Sequence, residues 1–434
     1  MLYYSTNRQS SGVSLKDAVI SGLAIDGGLY MPASIPVIPA SYFDSISGKS
    51  LKEIALYVAG AFLEDDIPGD ILSDIINESL DFPIPLREVE LNLQSLELFH
   101  GPTMAFKDVG ARFMSRLMSY LYRNENKALN VIVATSGDTG SAVASGFFNV
   151  QGITVFVLFP KAKVSPLQQK QITTWGGNIH AIEVDGSFDD CQALAKKMLS
   201  DMQLNSTLSL TSANSINIAR LIPQSFYYFY AYAQLNDKRP LVFSVPSGNF
   251  GNLTGGLMAR ATGLPVHKFI ASTNINDVFP KFIETGIYKP KPSKQTISNA
   301  MDVGDPSNFA RIADLIGGRL KNFRDNILSY SFTDEATARS ILNVYRNYGY
   351  IMDPHGAVAY QGLKKYLKCN DNEINAVFLE TAHPAKFSEI MKNILEDYED
   401  LPLQLKGVLN RKEQFHTINN DSEELKSFIN FINR

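Results

Sequence analysis

The chain has 434 residues, of which 45% are hydrophobic and 19% charged, and its formal net charge is −4 at pH 7. Such a chain folds as two or three domains around a large core, and its weak negative charge gives no reason to expect nucleic acid or an anionic membrane surface as partner. Two cysteines far apart, Cys191 and Cys369, exclude a disulfide framework, and six histidines without paired spacing give no expectation of a metal. The opening MLYYSTNRQS lacks the layout of a signal peptide, and no run of about 18 apolar residues occurs, so a cytoplasmic protein without a membrane span is expected.

Residues 1–95 read as a mainly helical N-terminal region. SLKDAVISGLA and SLKEIALYVAGAFL place apolar residues at helical spacing, and the Pro-punctuated MPASIPVIPA and FPIPL are connectors. No catalytic constellation is visible there. From residue 97 onward short apolar strands alternate with helices. NVIVAT (130–135), ITVFVLF (153–159), NIHAIEV (178–184), LVFSV (241–245), VHKFIAS (266–272) and INAVFLE (374–380) are the strands. This alternation predicts βαβ units in a mostly parallel sheet, and the unbroken apolar character predicts burial on both faces. The aromatic run FYYFYAY (226–232) reads as helix and core.

Within FHGPTMAFKD (99–108) a single lysine, Lys107, follows Ala105 and Phe106. Such a lysine usually snorkels to water. Held in an apolar cleft it instead loses solvation of its charged form, its pKa falls, and it becomes a usable base or Schiff-base nucleophile. Three loops each follow a buried strand and precede a helix, where ligands bind in α/β sheets and where free N–H groups suit anions. The first, TSGDTG (135–140), offers the hydroxyls of Ser136 and Thr139 and a glycine, Gly137, that permits close approach. The second, PSGNFGN (246–252), lacks the Lys-Ser/Thr of a Walker A loop and the GxGxxG spacing of a dinucleotide fingerprint, which leaves a phosphate cradle of backbone N–H groups open. The third, ETAHPAKF (380–387), places Thr381 just past a strand, where simple capping of the next helix is the alternative. MDPHGAVAY (352–360) reads as Asp353 at an N-cap with Pro354 after it, and His355 there is taken as structural. The lysines of KAKVSPLQQKQ (161–171) read as a solvated face, although Lys163 could meet an anion.

LELFHGPTMAFKD, ATSGDTGSAVA, SVPSGNFGNLTGG, TSANSIN, SNAMDVG, DPHGAVAY and TAHPAKF, together with the N-terminal DGGLYMP, resemble in order the segments of the threonine synthase family, pyridoxal-phosphate enzymes of the tryptophan-synthase-β fold type (fold type II). The resemblance covers most of the chain. It implies an α/β fold of two lobes with mostly parallel sheets, the cofactor pyridoxal 5′-phosphate between them, and a monomer or homodimer acting on a small molecule. Residues 96–238 would form the lobe with the Schiff-base lysine and the substrate-carboxylate loop, and residues 239–434 the lobe with the cofactor-phosphate loop and the pyridine-nitrogen contact. By the same resemblance Lys107 carries the cofactor, Gly248, Asn249, Phe250, Gly251 and Asn252 hold its phosphate, and Thr381 faces its ring nitrogen. Ser136, Gly137, Asp138 and Thr139 receive the substrate carboxylate, and Thr103 lies beside it. Relatives in the wider fold type carry Asn at the place of Asp138, where it donates to the cofactor's ring oxygen; an ionised Asp can only accept, so here it either orients the loop or meets the cofactor in another protonation state. The implied reaction converts O-phospho-L-homoserine and water to L-threonine and phosphate, the last step of threonine biosynthesis. A distal cationic site for the substrate phosphate is expected from Lys163, Arg220 or Asn217. The alternatives are a serine or threonine dehydratase of the same fold type, whose lysine commonly follows a Ser-Phe-Lys pattern, and a non-catalytic protein that keeps the fold.

Overall fold

The computed structural model describes residues 1–433 except 202, 203, 205, 206, 371 and 372. The N-terminal region holds a small antiparallel pair, β1 (Tyr3–Ser5) and β2 (Tyr30–Pro32), and helices Leu15–Ser21, Ala40–Asp44, Leu51–Leu63 and Gly69–Ser79. Local chemistry sets the longest of these. Ser50 accepts from Glu53 N–H while Glu53 returns a bond to Ser50, a reciprocal cap worth about 1 kcal/mol. Leu51, Ile54, Ala55, Val58, Ala59, Phe62 and Leu63 then recur on one buried face.

The remaining strands form two larger sheets. The six-stranded sheet runs in the order β11 (Ile327–Ser331), β10 (Val266–Thr273), β9 (Leu241–Pro246), β12 (Asn375–Glu380), β4 (Leu93–Glu97) and β3 (Leu86–Glu90). Only β3 is antiparallel to its neighbour. The five-stranded sheet is parallel throughout, in the order β13 (Phe415–Asn419), β7 (Ile179–Asp185), β6 (Ile153–Pro160), β5 (Leu129–Ala134) and β8 (Leu210–Ser212). Every residue of β5, β9 and β12 is buried, as expected of strands covered on both faces. All six strands expected from the sequence form within a residue or two of their expected limits.

The lobes do not follow the continuous limits 96–238 and 239–434. β4 begins at Leu93 and pairs with β12, so the end of the N-terminal region and its neighbour belong to the large sheet. β13 returns from the far end of the chain to pair with β7 in the small sheet. Hydrogen bonding across the sheet, not chain continuity, defines each lobe. Among the described residues no helix is long and apolar enough to cross a membrane.

The strand ends carry the site. The loops after β5, β9 and β12 lie at the carboxyl ends of central strands and converge on one cavity of about 590 Å³ between the two sheets.

Candidate active site

Lys107 is the first residue of the helix Lys107–Tyr122 and lines the cavity. The chain ahead of it is stitched to the end of β12. Phe106 N–H donates to Thr381 O at 2.9 Å, His383 N–H donates to Met104 O at 3.0 Å, and Ala105 bridges Ala382. Lys107 therefore sits on the seam between the lobes, tied to Thr381, and not within the small lobe alone. Among the described residues its Nζ makes no hydrogen bond or ion pair; its neighbour is the Phe106 ring at 5.9 Å. Burial pulls its pKa down to about 8, helped by the charges of Arg220 and Lys386 and opposed by Asp138. At that value roughly a tenth of the amine is neutral at pH 7, far more than for an ordinary lysine, and the neutral form is what accepts a proton.

The helix Asp138–Phe147 packs closely on the lysine helix, because a side chain at Gly146 would lie 3.1 Å from Ala111 C. Ser136 and Thr139 at its head line the cavity. Thr135 Oγ1 gathers the N–H groups of Gly137 and Gly140 at 2.9 and 2.8 Å, which fixes the loop. The other first-turn N–H groups of that helix have no intrahelical acceptor and are free for an anion. Gly137 adopts φ 146°, and a Cβ there would lie 2.6 Å from Gln168 Cδ, so glycine is required.

The loop after β9 has the second geometry that could hold an anion. Phe250 stands at φ 61° in the left-handed region, immediately before the helix Gly251–Ala261. A Cβ on Gly248 would fall 2.7 Å from Met301 Cα and 2.9 Å from Ala300 O, a backbone collision. Asn249 is held from three sides: its Nδ2 donates to Ser215 Oγ at 2.7 Å, its Oδ1 accepts from Ser307 N–H at 2.7 Å, and its carbonyl accepts from Asn308. Asn252 Oδ1 accepts from Tyr227 and Tyr228 hydroxyls at 2.8 and 2.7 Å, while its buried Nδ2 has no partner among the described residues. A buried unpaired donor beside helix N–H groups, in a loop that no side chain can enter at Gly248, fits a phosphate. Gly248, Asn249, Phe250, Gly251 and Asn252 all line the cavity.

Thr381 is buried, lines the same cavity, and makes no side-chain hydrogen bond among the described residues. The cap of the short helix Pro384–Phe387 is His383, whose Nδ1 accepts from Ala385 N–H, so capping does not occupy the Thr381 hydroxyl. His355 also lines the cavity, where both ring nitrogens are held by structural hydrogen bonds. Its Nδ1 lies 2.5 Å from Asp353 Oδ1 and its Nε2 accepts from Ala300 N–H at 3.2 Å, which props the segment against Gly248.

Several expected residues are placed elsewhere. Thr103 does not line the cavity; its hydroxyl and N–H bind the Asp108 carboxylate at 2.6 and 2.9 Å and close the turn before Lys107. Asn217 caps a short helix, accepting from Ala219 N–H while donating to Val19 O and Ser212 O, and its fully engaged amide is shut off from the cavity. Lys163 is exposed and lies outside the cavity lining. Asp138 is buried beneath the loop and does not line the cavity; it pairs with Lys386 Nζ at 2.7 Å and accepts from Gln168 Nε2 at 2.8 Å. Arg220 does line it. Its Nη1 donates to Ala213 O at 2.9 Å, and Gly110 leaves room for its Nε. Burial lowers its pKa to about 10, so it remains a cation at neutral pH. Sequence reasoning missed Lys386 and Gln168, which lie in stretches read as capping or solvated.

Residues 93–379 match the family model described as pyridoxal-phosphate dependent enzyme, and that is the class the two-lobed parallel fold and its lysine-centred cavity define. Two further models, threonine synthase N terminus and threonine synthase C-terminal, match residues 2–80 and 356–429. The chain belongs to the threonine synthase family, and it is an enzyme of that family's kind, a pyridoxal-phosphate-dependent lyase. It is 42% identical over 407 residues to threonine synthase of Escherichia coli K12, covering 93% of this chain and 94% of that one. It is 41% identical to the Haemophilus influenzae enzyme over 99% of both. A crystal structure of pyridoxal-phosphate-bound threonine synthase from Brucella melitensis superposes over both full chains with a TM-score of 0.94 at 35% identity. Threonine deaminase from Solanum lycopersicum, at 17% identity and a TM-score of 0.58, shares the fold.

Proposed function

We propose that this cavity converts O-phospho-L-homoserine and water to L-threonine and phosphate. The observation that carries the reading is the convergence on Lys107 of two separate anion cradles, one built for a phosphate and one left open beside it. Bound pyridoxal phosphate supplies an electron sink for charge developing on the substrate carbons. Lys107 would hold the cofactor covalently, and residues 248–252, with the Asn252 Nδ2 that is unpaired among the described residues, would hold its phosphate. Thr381 would face the ring nitrogen with a hydroxyl, which carries no charge and so would not enforce protonation there. The N–H groups at 136–139 take the substrate carboxylate. The buried cation Arg220 takes the distal phosphate of the substrate, a role that exposed Lys163 and fully bonded Asn217 do not fit.

Lys107 is the lysine that the seam holds beside Thr381 in the cavity. It accepts the Cα proton as general base, and it is placed to move the proton at Cβ as phosphate leaves Cγ and to return protons as water adds at Cβ. Placement between two sheets keeps bulk water from the carbons until that addition. The purified enzyme incubated with O-phospho-L-homoserine is expected to release phosphate and threonine in equal amounts. Release of 2-oxobutanoate from threonine, with no phosphate from O-phosphohomoserine, would replace this reading with that of a dehydratase.

A further inference from the structure

Two lysines compete for one carboxylate at the lobe boundary. Lys386, fully buried after β12 of the large sheet, places Nζ 2.7 Å from Asp138 Oδ1 and donates to Thr103 O at 2.8 Å. Asp138 heads the small-lobe helix whose first N–H groups open on the cavity. A carboxylate there opposes the work assigned to that loop, because an arriving substrate carboxylate meets a like charge in a poorly solvated place. It also lies close enough to Lys107 to favour the ammonium form. We propose that Lys386 is a positioning residue that cancels Asp138 across the lobe boundary, so that the 136–139 loop accepts an anionic substrate carboxylate and Lys107 is not held as an ammonium by Asp138. The inference rests on the reading of that loop as the carboxylate site.

The charges around the pair are accounted for. Lys107 faces Asp138, Arg220 and Lys386. Asp108, its neighbour on the same helix, is turned to Thr103 and interacts with Arg220, Lys386 and Arg112. His355 and Asp302 line the cavity from the other lobe. Burial alone would push the Asp138 carboxyl up; the ammonium of Lys386, then that of Lys107, with hydrogen bonds from Lys386 and Gln168, holds it well below the usual carboxylate range. Take Lys386 away, and Lys107 is left to face a stranded carboxylate whose nearest counter-charge is gone.

Three variants test this: Lys386→Met, Asp138→Asn, and both together. KM and kcat for O-phospho-L-homoserine are measured on the holoenzyme, and the pH profile of cofactor attachment to Lys107 is followed by absorbance on the apoenzyme without substrate. Lys386→Met is expected to raise KM about tenfold and to move attachment about one unit to higher pH. The double variant, with neither charge, is expected to return both quantities toward those of the parent. A double variant no better than Lys386→Met in either readout overturns the proposal. Rescue of the attachment profile with KM unchanged throughout leaves the neutralisation standing and overturns the carboxylate-loop reading on which its substrate half depends. Breaking a buried pair can abolish folding; if Lys386→Met does not fold, the double variant should match Asp138→Asn, and loss of attachment in the double alone overturns the proposal.

Discussion

The two anion cradles are built alike and finished differently. Each follows a fully buried parallel strand and opens a helix, and each needs a glycine that no side chain can replace without collision. The 248–252 cradle contains no charged side chain, is pinned by Ser215, Ser307, Asn308 and two tyrosines, and keeps one free amide donor. The 136–139 cradle begins its helix with an acid and borrows its counter-charge from the other lobe. A group that stays bound suits rigid, neutral donors, which cost nothing to reorganise. A group that arrives and leaves suits a site whose charge is balanced by a partner across a cleft.

Removing what the cradles share gives the largest effect. Lys107→Ala is expected to lower phosphate release by at least about 10⁴-fold; turnover within tenfold of the parent would deny the lysine its place. Next, Gly248→Val drives a side chain into the Met301 and Ala300 backbone, so the cofactor dissociation constant should rise roughly a hundredfold while the apoenzyme melts near the parent temperature. The matching change in the other cradle, Gly137→Ala, is strained by its φ of 146° and by contact with Gln168. It should raise KM about tenfold and leave cofactor affinity alone, and a shift in cofactor affinity equal to that of Gly248→Val would erase the division of labour. The smallest effect concerns the hydroxyl between them. Thr381→Val removes one hydrogen bond, worth about 0.5–1.5 kcal/mol, and should cut turnover by up to about tenfold with cofactor retained and melting unchanged, since His383 is the cap; Thr381→Ser should be mild. Normal turnover with a lowered melting temperature would remove Thr381 from the site.

The loops and the lysine that line the cavity were legible in the sequence because each is local: an apolar strand or turn followed by a helix within a dozen residues. What escaped was set by distant pairing. Lys386 reads as part of a helix start until β12 and β5 bring it to Asp138. Asn217 looks like a ligand but spends its amide on a cap and two carbonyls. β13 has one buried residue in five, too faint a pattern to announce a strand, and its pairing with β7, like that of β4 with β12, crosses the continuous limits expected from the sequence.

That last strand has a consequence for how the molecule is made. β13 covers the edge of β7, and the helix Ser422–Ile432 behind it brings Leu425 and Ile429 onto the apolar cluster of Ile182, Val184 and Leu194. On the ribosome those partners emerge only after the whole large sheet has been synthesised. Until then the small lobe waits with an open hydrogen-bonding edge and a bare greasy flank, the two features that invite intermolecular pairing. Loop closure over so long a span adds little entropy per extra residue, so the finished lobe loses little stability by it; the exposure is one of time.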